Sequence, residues 1–184
     1  ADGAAEGLRQ RHYAAYLDLL RRADSHLRRP EAAAWIVRLQ PEQDNLRASL
    51  QWALDEERYV DAAWLMVAVH YFWFLSGHRY EGARWFTRLL PYLDRVPSEL
   101  HLASLICYYS FSYETEDSQP MEHTRSDMLK LIESSSQASL RAAAWFFLAL
   151  HTPDIWQATD KLAQAVAVAR VANASPTLGA EFSA

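Results

Sequence analysis

Glycine and cysteine are scarce in this 184-residue chain, with five glycines and the single cysteine Cys107. Five glycines, against a usual content of about 7%, leave no Gly-rich phosphate loop or dinucleotide fingerprint and few tight hairpins. A lone cysteine excludes an internal disulfide framework and suits a reducing, intracellular compartment. Lysine is nearly missing as well. Only Lys130 and Lys161 stand among 18 basic residues, which reads as the bias of a GC-rich genome. There is no basic excess either: the net charge is −5 and the pI about 5.8, which argues against a nucleic-acid-binding surface as the main purpose. No apolar h-region follows a basic start near Ala1 to Gln10, so no secretory signal is read. The apolar run Ala62 to Leu75, broken by His70, falls short of the roughly 17–25 residues a bilayer-spanning helix needs. A cytoplasmic location is expected.

What is present is apolar mass, 51% of residues, and 12% aromatics, enough to bury a core. Helical periodicity dominates. Leu8, Tyr13, Tyr16, Leu17, Leu20 and Leu27 recur at helical intervals with arginines between them, which predicts one long amphipathic helix. Pro30 and Pro41 restart the chain for helices carrying Trp35, Ile36 and Leu39, then Leu46, Leu50 and Leu54. Val60 to Ser76 predicts a fourth helix ended by Gly77, and Tyr80 to Leu90 a fifth stopped by Pro91. Glu99 to Tyr113, Met121 to Ser134, Ala138 to His151 and Pro153 to Ala172 follow, the last entered through Thr152-Pro153-Asp154 with Thr152 as its cap. Glu114 to Gln119 reads as an acidic solvated loop. No sustained period-two alternation occurs. The expected fold is all-α, about nine helices, with antiparallel hairpins stacked as a tetratricopeptide-like α-solenoid.

Chemistry-bearing motifs are lacking. No His-x-x-x-His pair, Walker A stretch or Gly-x-Ser-x-Gly elbow occurs, Cys107 has no Cys-x-x-Cys partner, and no catalytic residue, metal or cofactor is expected. Two concentrations of residues stand out. Among the aromatics, Trp64, Trp85 and Phe86 read as interhelical packing. Tyr71, Trp73 and Tyr80, with Arg84, cluster around one hairpin turn and are the candidate ligand- or partner-binding surface. The arginines of the first helix, Arg9, Arg11, Arg21, Arg22, Arg28 and Arg29, are offset by Asp18, Asp24 and Glu31 and read as a solvated face or an interdomain seam.

The series His12-Tyr13-Ala14-Ala15-Tyr16-Leu17, Trp35-Ile36-Val37-Arg38-Leu39, Asp44-Asn45-Leu46-Arg47-Ala48-Ser49-Leu50-Gln51-Trp52-Ala53-Leu54 and Glu81-Gly82-Ala83-Arg84-Trp85-Phe86 resembles a known segment. It is similar to the region that follows the nucleotide-binding and winged-helix modules in bacterial STAND-class signalling ATPases, including large LuxR-type and SARP-type transcriptional regulators. The resemblance covers roughly residues 8 to 91, and residues 98–136 are poorly patterned.

It implies a non-catalytic part of a switch, which senses an inducer or protein partner and restrains ATPase-driven assembly. Residues 1–57 would be arm helices after a winged-helix module. Residues 58–184 would be tetratricopeptide-like repeats, cut from a longer polypeptide. Asp44, Asn45 and Arg47 match the family's signature and read as structural: Asp44 complements a helix dipole, Asn45 serves a local backbone bond, and the set forms a seam. Expected partners are an inducer or protein and the neighbouring ATPase and winged-helix domains, without direct nucleic-acid or membrane contact. A free-standing helical scaffold for peptides or proteins is the alternative.

Overall fold

The computed structural model describes residues 2–112 and 119–173. These are helical, with no strand among them. The order is α1 (Asp2–Leu27), α2 (Ala32–Leu39), α3 (Gln43–Asp55), α4 (Tyr59–Leu75), α5 (Arg79–Leu89), α6 (Ser98–Ser112), α7 (Gln119–Ser134), α8 (Ala138–Leu150) and α9 (Ile155–Asn173). Short 3-10 segments cover Gln40–Glu42 and Leu90–Arg95. No helix of the described residues is long and apolar enough to cross a membrane.

The chain divides into two compact units, residues 1–95 and 96–184. In the first unit α4 is the central element. It is apolar nearly all round, a composition that needs cover on several faces. The cover comes from α1, α3 and α5, with smaller contributions from α2 and the 3-10 segment at Leu90–Arg95. Leu65, Met66, Val69, Phe72 and Trp73 are fully buried there. Burying each such side chain is worth about 1.5–3 kcal/mol, so this helix anchors the unit. Because α1 and α3 pack directly on α4, residues 1–57 belong to the same compact unit as the helices after them.

The helix ends show why the chain turns where it does. After α4, Gly77 takes a left-handed φ of 82°, and the His78 N–H donates back to the Trp73 carbonyl at 2.9 Å. This closes the C-terminus with a six-to-one bond that a left-handed residue makes possible. The end of α3 is built the same way. Glu57 has φ 54°, the Arg58 N–H reaches the Ala53 carbonyl at 2.7 Å, and the Glu57 N–H reaches Leu54 at 3.2 Å.

The α-helix ends at Leu89, just before Pro91, as the sequence predicts. Pro91 then falls near the start of a 3-10 segment that continues to Arg95, where a proline gives up a donor with no partner.

In the second unit α6 packs on α7 and α8, and α8 packs on α9. Glu99 near the start of α6 ties the turn between α7 and α8. Its carboxylate accepts from the Ser135 hydroxyl at 2.6 Å and from the Ser136 N–H and hydroxyl at 2.8 and 2.9 Å. α8 and α9 pack closely, and both helices are rich in alanine, whose small side chain lets backbones approach.

The expected entry into α9 needs correction. Thr152 finishes α8, donating its hydroxyl to the Leu148 carbonyl at 2.6 Å, and Asp154 is the cap, accepting from the Gln157 N–H at 2.8 Å. α7 begins at Gln119, so the expected loop 114–119 ends one residue early, while its residues 114–118 and Tyr113 lie outside the described residues.

Candidate functional site

The expected surface at the α4–α5 turn divides in the structure. Tyr80 is 65% exposed, and Arg84, one helical turn further along α5, is exposed on the same face. The opposite face of α5 buries Ala83, Phe86 and Leu89, so packing itself turns Tyr80 and Arg84 outward. Tyr71 is half-buried on α4, with the Arg28 guanidinium 4.4 Å above its ring and Phe74 stacked 6.3 Å away.

Trp73 corrects the expectation of exposure: its side chain is 0% exposed. It lies on the same helix as Phe72, Val69 and Met66, in the part of α4 that neighbouring helices cover completely. Its indole Nε1 is buried without a hydrogen-bond partner. The surface that remains is therefore Tyr80 with Arg84.

Of the signature residues Asp44, Asn45 and Arg47, it is Arg47 that reaches across to another helix. Arg47 grips the Glu81 carboxylate with Nε and Nη2, the latter at 2.7 Å, while Nη1 holds Asp44 at 2.7 Å and Nη2 also donates to Gln43. Glu81 further accepts from the Trp85 indole at 3.4 Å. The hydrogen bonds from Arg47 hold the Glu81 carboxyl below its usual range and raise the guanidinium's own basicity.

Asn45 does not serve the backbone. It donates to the Glu42 carboxylate at 2.9 Å, which also accepts from the Tyr16 hydroxyl at 2.6 Å. Those two donors lower the Glu42 pKa, Tyr16 first.

An open groove of about 290 Å³ runs beside this network, lined by Leu8, Arg9 and His12 of α1 and Ala48, Ser49 and Trp52 of α3. His12 Nδ1 stands 3.0 Å from the Ser49 hydroxyl. That hydroxyl already donates to the Asn45 carbonyl at 3.0 Å. With its proton turned to Asn45, Ser49 accepts from His12 in this arrangement. Among the described residues no group of three His, Cys, Asp or Glu side chains is placed to hold a metal. Cys107 is buried in α6.

Two features escaped the sequence. The first is that Arg21 and Arg28, seven residues apart on α1, lie over Trp64 and Tyr71, seven apart on α4, at 5.2 and 4.4 Å. The matching intervals were visible, but the pairing of α1 with α4 was not. The second is Glu99, whose anchoring role depends on a turn 36 positions away.

Comparison with known protein families, with curated proteins and with solved structures found no match to this chain.

Proposed function

We propose that the chain is a non-catalytic sensor and protein-interaction module of a signal-transduction ATPase, a bacterial transcriptional regulator, with its helices stacked in the tetratricopeptide-like manner. The observation that carries the reading is the direction in which residue pairs bridge the helices of the first unit. Arg47–Glu81 and Gln51–Arg88 join α3 to α5 in ascending order on both, so these helices run parallel. Arg21–Trp64 and Arg28–Tyr71 do the same for α1 and α4. His12–Ser49 and Tyr16–Glu42 run in opposite order, so α1 is antiparallel to α3. Two layers of alternating direction, closed by like-built turns at 56–58 and 76–78, are what stacked helical hairpins produce.

The resemblance carried by residues 8 to 91 supplies the functional half of the reading. In it, a partner or inducer that prefers one arrangement of the stack shifts the population of the attached ATPase toward its assembly-competent state. Tyr80 and Arg84 present the aromatic and guanidinium chemistry that recognition surfaces favour.

The test is to sequence the natural reading frame across both ends of this chain. A Gly-x-x-x-x-Gly-Lys-Ser/Thr motif upstream, with helical repeats continuing downstream, supports the module. A reading frame without that motif overturns it in favour of a free-standing scaffold that binds peptides or proteins.

A further inference from the structure

The open side of α5 carries Tyr80, Arg84 and Arg88, each about one helical turn from the next and all exposed. Elsewhere in the first unit Arg22, Arg28, Arg47 and Arg58 each pair with an acid three or four residues away. α5 offers no such acid, because its one carboxylate, Glu81, is held by Arg47 of α3. Among the described residues Arg84 makes neither an ion pair nor a hydrogen bond, and Arg88 makes no ion pair. Arg88 is nonetheless set in place, its guanidinium 4.6 Å over the Trp85 ring and its Nη1 donating to Gln51 at 2.9 Å. In a chain of net charge −5, two neighbouring guanidinium groups thus stand in water without an anion.

We infer that this face docks an acidic segment of a partner protein, which sets two carboxylates on Arg84 and Arg88 and an apolar side chain on Tyr80. The inference rests on the reading of the chain as a protein-interaction module and names the chemistry of its partner. Side chains four apart on a helix rise about 6 Å from one to the next. Alternate side chains of an extended segment are about 6.7 Å apart. An apolar-x-acid-x-acid sequence therefore meets the three in register. A guanidinium takes a carboxylate through two parallel bonds, and Trp85 and Gln51 have already ordered Arg88, which lowers the cost of binding. A nucleic acid or an anionic membrane fits less well. Asp44 and Asp55 of the parallel α3 and Asp94 beyond α5 are exposed too, and they repel a continuous run of anions.

The peptide acetyl-Phe-Ser-Glu-Ser-Glu-Ser-Phe-amide reads the same in both directions, so it tests the face whichever way a partner runs. It is titrated into the whole chain and followed by backbone amide NMR. The expected result is saturable shifts centred on residues 80–88, with a Kd of about 0.1–1 mM because exposed pairs are individually weak. Arg84→Glu and Arg88→Glu each weaken binding about fivefold or more, and the double variant binds instead the matching peptide with Lys in place of Glu. Both positions are exposed, so circular dichroism stays helical. No saturable shift at residues 80–88 up to about 5 mM peptide overturns the proposal, as does equal binding of the Glu and Lys peptides by the unaltered chain. Tighter binding at this face by oligo(dT) or by phosphatidylglycerol vesicles overturns the choice of a peptide. A nucleotide-binding motif upstream together with no shift here keeps the module and removes this face, so the two readings fail separately.

Discussion

Arg47 holds the Glu81 carboxylate in a two-nitrogen grip across 34 positions of sequence, and this fixes α3 against α5. A fork-to-fork contact loses less freedom on forming than two long chains meeting at a point. Both partners are partly exposed, so the tie is worth about 1 kcal/mol rather than the several of a buried pair. Arg47→Ala and Glu81→Gln are each expected to lower unfolding stability by about that amount. The double variant should lose less than the sum of the two, a coupling that urea denaturation of the four proteins reads directly. Strict additivity would mean that the contact does not hold the helices together.

The two like-built turns predict substitutions of opposite sign. Gly77 at φ 82° occupies backbone space that costs other residues about 1–2 kcal/mol, so Gly77→Ala should destabilise by about 1 kcal/mol. Nothing lies within 4 Å of the added methyl, so the loss would be backbone strain and not a clash. Glu57 already bears that strain at φ 54°. Glu57→Gly should therefore stabilise by about 0.5–1 kcal/mol despite glycine's greater freedom in the unfolded chain. Thermal melts of both variants check the signs.

The helices were legible because the apolar spacing of α1, α3 and α5 and the stops at Gly77 and Pro30 are local signals. The fully apolar α4 also announced that it would be surrounded. What surrounds it was not legible, since an arginine at Arg28 reads equally as a solvated charge or as the cover of a ring on another helix. The same blindness misplaced Trp73. A tryptophan near a turn looks accessible in a linear pattern, and only the packing around α4 shows that Trp73 is covered while Leu75, two residues on, is exposed. At Thr152-Pro153-Asp154 two residues were chemically fit to cap α9. The choice of Asp154 followed from Thr152 being used by the Leu148 carbonyl.

Stability should fall on acidification in two stages. His70 sits half-buried on α4, and loss of hydration, with the nearby Arg28 charge, pushes its pKa down to about 3 from an ordinary 6.5. The fold thus holds the imidazole neutral while the unfolded chain takes up a proton, so stability present above pH 6.5 is lost as the pH falls toward 3. His151, lowered chiefly by burial, has the same sign.

Glu42, lowered by its bonds from Tyr16 and Asn45, and Glu81, lowered by Arg47, enter only below their ordinary 4.5. Glu99 joins them: burial pushes its carboxyl up, but the Ser135 and Ser136 donors outweigh that and leave it low. His70→Gln should flatten the decline most plainly between pH 6.5 and 4.5, and below 4.5 should leave the part that the carboxylates contribute. Urea midpoints measured across that range show it. An unchanged upper stage would assign the early loss to His151.

Trp73 and Tyr80 stand seven residues apart near one turn, and their substitutions should separate packing from surface. Trp73→Ala empties a fully buried site and is expected to cost about 3–5 kcal/mol, a loss large enough to unfold much of the first unit. Tyr80→Ala removes a ring that is 65% exposed, and Arg84→Ala removes a guanidinium that is exposed beside it, so each should stay within about 0.5 kcal/mol of the parent. Equilibrium urea unfolding supplies all three values. If Tyr80→Ala or Arg84→Ala cost 2 kcal/mol or more, about the loss of a buried aliphatic side chain, the side chain would be a packing element and the recognition surface would have to lie elsewhere. If both are neutral, residues 80 and 84 can be altered to test partner binding without disturbing the helices that carry them.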